Sequence, residues 1–328
     1  FMACFGVLHV LKTLMEPSGP VSVESRESGG PEGTREAKTG EEWEEPAGPA
    51  LATDSQAQEP QDEVIRQEGY KEWKKKFPGM WTPPQAPEEP YIPPRLILAT
   101  DLHYQSALAG DGGEAFRLFV ERSDGKVVQY LPELLEAFLD EVIEERPSAL
   151  VLSGDITMNG ERLNHEELAA RLKRVQDAGI QVLVIPGNHD INNHDASVYY
   201  GARKEPAPYI DGPEFHEIYH EYGYDQALSR DDSSLSYVYA LDDRNWLLML
   251  DSCQYEPDNK VEGRLKDSTM AWADEQLARA KEEGVFVIPI AHHNLLAQSR
   301  MYTTQCAMDN NKEVISLLQK YELPLFFS

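Results

Sequence analysis

Cysteine is scarce in this chain. Cys4, Cys253 and Cys306 are the only three in 328 residues, and no CxxC pair occurs. That excludes a zinc ribbon and a disulfide-stapled small domain, and leaves open whether Cys253 and Cys306 pair. Basic charge is also short: 30 Lys and Arg stand against 57 Asp and Glu, a net charge of −27. A long nucleic acid is therefore not an expected partner unless cations screen the contact. Apolar runs long enough to span a bilayer are missing too. Residues 1–15 (FMACFGVLHVLKTLM) are mostly apolar, but they are too few to cross and Lys12 interrupts them. They read either as the remnant of a signal or membrane anchor, with Cys4 as a lipid site, or as a ragged end. The extracytoplasmic or membrane-anchored location this suggests rests on the apolar start and the spacer behind it, and a cytoplasmic chain fits them as well. There is no internal repeat, and nothing in the sequence speaks to oligomeric state.

What is present divides in three. After the apolar segment 1–15 comes an acidic and proline-rich linker, 16–94. Residues 16–66 carry 13 acids against 4 bases and few large apolar side chains. Such a segment buries too little to offset its ordering entropy, so disorder is expected. A short helix is expected within 63–80, and residues 82–95 hold six prolines in fourteen positions, a stiff extended lead-in. The folded domain is expected over 95–328.

Within it, three short apolar runs each end in a polar cluster. Leu96-Ile97-Leu98-Ala99 runs into Asp101-Leu102-His103. Ala149-Leu150-Val151-Leu152 runs into Ser153-Gly154-Asp155. Val182-Leu183-Val184-Ile185 is closed by Pro186 and followed by Gly187-Asn188-His189-Asp190. Val, Ile and Leu runs bounded by Gly and Pro read as buried strands. Between the first two, apolar residues at 131, 134, 135, 138, 139, 142 and 143 predict a helix over 131–145. Between the next two, Asn164 with Glu167 reads as a capping box opening a second helix that Gly179 stops. Strand, helix, strand, helix, strand implies parallel strands. Residues 192–232 are expected to be loops over the site. Leu235–Leu241 and Trp246–Leu250 predict a hairpin, 268–283 a helix, 285–290 a further strand ending in His292-His293, and 311–321 a last helix.

Asp101, His103, Asp155, Asn188, His189 and His292 each follow the C-terminal end of a predicted strand. In parallel sheets those ends lie along one edge, where ligands bind. Carboxylates, imidazoles and an amide oxygen together suit transition metals. A bridging carboxylate can hold two cations roughly 3.5–4 Å apart, the arrangement that clamps a phosphoryl group during in-line displacement.

These motifs, Asp101-x-His103, Gly154-Asp155, Gly187-Asn188-His189-Asp190 and the later His292, resemble the calcineurin-like metallophosphoesterase family, in the family's order from about 95 to 328. The resemblance implies an α/β fold: a two-sheet β-sandwich of mixed strands flanked by helices, four layers in all. It implies two divalent or trivalent metal ions, Mn, Fe or Zn. Asp101 and His103 would bind the first metal, Asp155 would bridge, and Asn188 and His292 would bind the second, with His292 favoured over His293. His189 would act on the leaving oxygen, oriented by Asp190. The family closes its site with Gly-His-x-His after a final strand. The sequence ends at Ser328 before such a motif, so truncation and impaired metal binding are expected of this chain. The implied activity is hydrolysis of a small phosphoester by metal-activated water. Phosphodiesters come first, since Asp251, the helix bearing Trp272 and the long polar insert resemble cyclic-nucleotide phosphodiesterase-like members. Phosphomonoesters are the alternative, and a non-catalytic binding or scaffold module is another. Among the remaining candidates, His194 reads as a surface-loop residue or a contact to substrate phosphate, His165 as solvated near a helix start, His216 and His220 as a partly exposed helix face or a helical metal pair, Asp251 as either near the site or a turn, and Tyr104 as either a base-stacking or a core residue.

Overall fold

A computed structural model describes residues 91–297 and 307–328 apart from position 124. The expected apolar segment 1–15, nearly all of the linker, the helix within 63–80, and Cys306 lie outside the described residues. Within them, Cys253 carries a free, buried thiol, and no helix is long and apolar enough to cross a membrane.

The order is β1 (Leu96–Ala99), α1 (Glu114–Arg122), α2 (Leu131–Glu145), β2 (Ala149–Ser153), α3 (Arg162–Asp177), β3 (Gln181–Ile185), β4 (Ser197–Tyr200), β5 (Arg203–Pro206), α4 (Gly212–Tyr219), β6 (Ser229–Arg230), β7 (Tyr237–Ala240), β8 (Asn245–Leu250), α5 (Asp267–Glu283), β9 (Phe286–Ala291) and α6 (Asn311–Lys320), with short 3-10 and π turns between some of them. β1, β2 and β3 pair in parallel in that order, and every residue of β2 is buried. The second sheet runs β6-β7-β8-β9, antiparallel except for β8 with β9. Phe327 continues it, donating to the Pro289 carbonyl and accepting from Ala291.

Strand alternation sorts the second sheet's side chains into two cores. Tyr237, Tyr239, Leu247, Met249 and Ile290 join one core with β1–β3, with Leu135, Leu139 and Val142 of α2, and with Leu168, Leu172 and Val175 of α3. Val238, Trp246, Leu248, Leu250, Val287 and Ala291 face the other way, onto Ala273, Leu277 and Ala280 of α5 and Val314 and Leu318 of α6. The expected sandwich of two sheets between helices is therefore the observed one. The helices stop where the sequence says: α5 at Gly284, whose φ of 72° suits glycine, and α2 at Arg146, held left-handed in front of Pro147.

Two local expectations fail. α3 begins at Arg162, so Asn164 lies inside it rather than at its cap. Asn164 is buried, and its amide bonds Glu161, Gln105 and the Ser106 backbone; Glu167 reaches the Tyr104 hydroxyl instead. Tyr104 thus covers the core. Residues 192–232 are not merely loops. They hold the β4–β5 hairpin, turned at Gly201 (φ 58°), and α4, opened by a capping box between Asp211 and Glu214 with Pro213 in its first turn. Phe119 of α1 stacks on Tyr199 at 4.3 Å, so the segments before and after the first sheet's turns pack together.

Candidate metal centre

The ladder between β1 and β2 does not stop where the strands do. Asp101 N–H donates to Gly154 O (3.0 Å), His103 N–H to Asp155 O (2.9 Å) and Tyr104 N–H to Ile156 O (3.0 Å). Along this extension Asp101, His103 and Asp155 all have positive φ (56°, 44° and 47°), a costly region for residues with a Cβ. Three of the predicted site residues are thus held in strained backbone that the continued ladder enforces. Two glycines let the other turns close in. A Cβ on Gly187 would lie 2.0 Å from the Asp155 nitrogen, and one on Gly154 (φ 99°) would lie 2.7 Å from the His292 ring.

Asp155 is the centre of what results. It is buried, its Oδ1 accepts from His189 N–H (2.8 Å), and His292 Nε2 stands 3.4 Å from the same oxygen. Its Oδ2 stands 3.8 Å from His103 Nε2 and 3.9 Å from His189 Nε2. His103 Nε2 is 3.7 Å from Asp101 Oδ1, and His292 Nε2 is 3.3 Å from Asn188 Oδ1. Most of these gaps exceed a hydrogen bond. They suit atoms sharing a cation, since two ligands each at about 2.0–2.2 Å stand up to about 4 Å apart. His103 Nδ1 is buried with no partner. Two groups have ligand atoms all within 4.8 Å of one another: His103, Asp155 and His189, and Asp101, Asp155 and His292. Asp155 belongs to both, one oxygen toward each. The residues fit a pair of ions.

The imidazoles are oriented by main chain. His292 Nδ1 donates to Ser153 O (3.0 Å), which turns Nε2 toward Asp155 and Asn188. His293 points away, onto Ser252 Oγ (2.8 Å) and Val261 O (3.0 Å), so of the adjacent pair it is His292 that faces the centre. His189 Nδ1 faces Met158 O (2.7 Å) and Asn159 Oδ1 (3.1 Å). Here the expectation for Asp190 needs correcting. Its carboxylate does not orient His189; it accepts from the backbone of Gly187, Ile156 and Thr157 and from the Thr157 hydroxyl, tying the β3 turn to the β2 turn. A fully buried carboxylate needs several donors, and adjacent backbone supplies them.

Charge follows from the same contacts. Burial would raise Asp155, but His292, His189 and His103 outweigh it and hold the carboxyl well below its usual range. Burial would lower His292, but Asp155 and then Asp101 lift it to about 9. Asp101 would rise by burial and is held down by its His103 contact. Burial lowers His189 against the pull of Asp155, with the charges of His103 and Lys126 adding to the lowering. Burial, then Asp155, pushes Asp190 up to about 6.

Over residues 94–328 the sequence matches the calcineurin-like phosphoesterase family. The chain belongs to that family. Its members are dinuclear metal proteins, in keeping with the two groups that share Asp155. A stretch of 110 residues, 33% of the chain, is 30% identical to the uncharacterized metallophosphoesterase YkuE of Bacillus subtilis (strain 168), of which this chain spans 38%. A crystal structure of a dimetal phosphatase from Danio rerio superposes with a TM-score of 0.46 and 14% identity, over 69% of this chain and 77% of that one.

Other candidates sort cleanly. Far from being solvated, His165 is fully buried in α3, between Asp190 O (2.9 Å) and Tyr219 Oη (3.1 Å). Its polar neighbours Asn164, Glu166 and Glu167 give no local sign of this. Burial comes from α4, whose Phe215 and Tyr219 rings meet the imidazole edge-on. Asp251 caps a turn, accepting from Leu235, Cys253 and Tyr255. His194 packs edge-on against Tyr209. Met158 and Asn259, which act through or on backbone carbonyls, carry no signal in the sequence.

Proposed function

We propose that this centre hydrolyses small phosphoesters with two bound metal ions, and that phosphodiesters are its preferred class. The observation that carries the reading is Asp155, one of whose oxygens stands 3.8 Å from His103 Nε2 and the other 3.4 Å from His292 Nε2, with Asp101 beside His103 (3.7 Å) and Asn188 beside His292 (3.3 Å). A pair of cations there would supply Lewis acidity to a phosphoryl group and lower the pKa of water to about 7. Asp101, His103, Asp155, Asn188 and His292 are the residues that would hold it.

The chain's own part is to fix geometry and move a proton. His292 is aimed by its contact with Ser153 O, and the ladder fixes Asp101, His103 and Asp155 at the main chain, so the donor set is largely formed in advance. His189 keeps Nδ1 on Met158 O, which leaves Nε2 toward the centre as the atom to stabilise or protonate the departing oxygen. Nε2 carries a proton to give only in the imidazolium, which Asp155 beside it favours and burial disfavours. Diesters are put first on the sequence's resemblance, at Asp251, the helix bearing Trp272 and the long polar insert, to cyclic-nucleotide phosphodiesterase-like members.

The test is turnover of bis(p-nitrophenyl) phosphate against p-nitrophenyl phosphate with added Mn²⁺, by the protein extended past Ser328. Faster cleavage of the diester is expected. Preference for the monoester would reverse the substrate class, and no metal-dependent turnover of either would leave a non-catalytic binding module.

A further inference from the structure

The turn that carries Asn188 and His189 is gripped from outside. Carbonyls of four consecutive residues accept from side chains: Asn188 O (2.8 Å) and Ile191 O (2.5 Å) from Asn259 Nδ2, His189 O from Asn193 Nδ2 (3.1 Å), and Asp190 O from His165 Nε2 (2.9 Å). Of the three donors, Asn259 alone holds two carbonyls, and it comes from the segment after β8, in the other sheet. That segment is a closed loop: Lys260 N–H donates to Gln254 O (2.9 Å), and Gln254 Nε2 donates to Glu262 O (2.9 Å). His293, 2% exposed, supports it from inside. Its Nε2 donates to Val261 O, its Nδ1 accepts from Ser252 Oγ, and Gly263 lies so close that a Cβ there would stand 2.2 Å from the ring.

We propose that the 254–263 loop is a clamp that positions Asn188, with Asn259 as its positioning residue and His293 as its support. The end of β9 would then set the Asn188 side of the centre twice. His292 meets Asn188 Oδ1 directly, and His293 acts on the Asn188 carbonyl through the loop and Asn259. Asp101 and His103 lie on the ladder between β1 and β2 and have no such dependence. This rests on the centre binding two metal ions, as argued above.

The experiment is Mn²⁺ titration calorimetry on the protein extended past Ser328, with a thermal melt on each variant to confirm that it is folded. Asn259→Asp keeps the shape but loses the donor. It is expected to weaken one of the two Mn²⁺ positions by about 10-fold or more, in the range usual for groups that orient a ligand, and to leave the other unchanged. Asn259→Ala should match it. His293→Ala should weaken the same position, and the double variant should add little further, because both act along one path. Lys260→Ala, on the same loop but off that path, should titrate as the parent. Should His293→Ala fail to fold, Asn259→Asp decides. Two parent-like Mn²⁺ positions in Asn259→Asp would overturn the clamp, as would equal weakening at both positions, which general loosening would give. A parent protein that binds no Mn²⁺ overturns the metal reading beneath it, a result distinct from either.

Discussion

The two sides of the candidate centre are built by different means. Asp101, His103 and Asp155 sit on a main-chain ladder that runs past the ends of β1 and β2 and holds each residue left-handed. Asn188 and His189 sit on a turn whose carbonyls are held by the side chains of Asn259, Asn193 and His165. Backbone pairing cannot be removed by a point substitution, whereas a side-chain donor can. The first side should therefore tolerate changes in its surroundings, and the second should not. Asp155 and Asp190 join the two, the former through His189 N–H and the latter through the Gly187, Ile156 and Thr157 amides.

The largest effect should come from the residue common to both sides. Asp155→Asn removes the charge that both ligand groups share, and turnover of bis(p-nitrophenyl) phosphate should fall by about 10³-fold or more, since metal stabilisation is worth several kcal/mol. Residual activity within tenfold of the parent would show that the two sides do not share it.

Acid should open the side-chain-held side. Burial lowers the His165 pKa to about 3 from its usual 6.5. Between those values the unfolded chain binds a proton that the folded one does not, so stability is full above about 6.5 and is lost as pH falls toward 3. A loss on the order of a few kcal/mol across that window is expected in chemical denaturation. His165→Gln should be less stable at neutral pH but flatter below it; an equally steep decline would assign the acid sensitivity elsewhere.

Gly187→Ala tests the seam. Its Cβ would meet the Asp155 nitrogen at 2.0 Å and Oδ1 at 2.3 Å, so backbone must move. A destabilisation of about 2–3 kcal/mol by urea melt is expected, typical of overpacking in a buried site. An unchanged midpoint would mean that the turns are less tightly apposed than described.

The smallest effect sharpens the asymmetry itself. Thr100 donates to Asp101 Oδ2 on the ladder side, and Asn193 donates to His189 O on the turn side. Thr100→Ala should change turnover of bis(p-nitrophenyl) phosphate by less than about 3-fold, since the ladder fixes Asp101 without it, and Asn193→Ala by roughly 10-fold through a misplaced His189. The reverse order in the turnover rates would dismantle the contrast.

Much of this was legible beforehand. Apolar runs ending in polar clusters gave β1, β2, β3 and β9, and the 3.6-residue period gave α2. Both rest on local pattern, which the chain writes directly. The cap segment 192–232 was harder. Its hairpin has few alternating apolar residues, although Asp211-x-x-Glu214 ahead of α4 was a readable capping signal. At the centre, Asp101, His103, Asp155, Asn188 and His292 do come together. The choice between His292 and His293 turned on which imidazole Ser153 O would receive, a partner 139 residues away.

From residue order alone one could obtain the strand-end clusters, their chemistry, and the glycines needed beside them, because each is a matter of near neighbours and side-chain type. Contacts between distant segments settled the rest: which oxygen of Asp155 faces which imidazole, that Asp190 ties turns rather than aiming His189, and that Asn259 grips Asn188. Those outcomes depend on hydrogen bonds to carbonyl and amide groups that every residue carries alike, and so the sequence holds no mark of them.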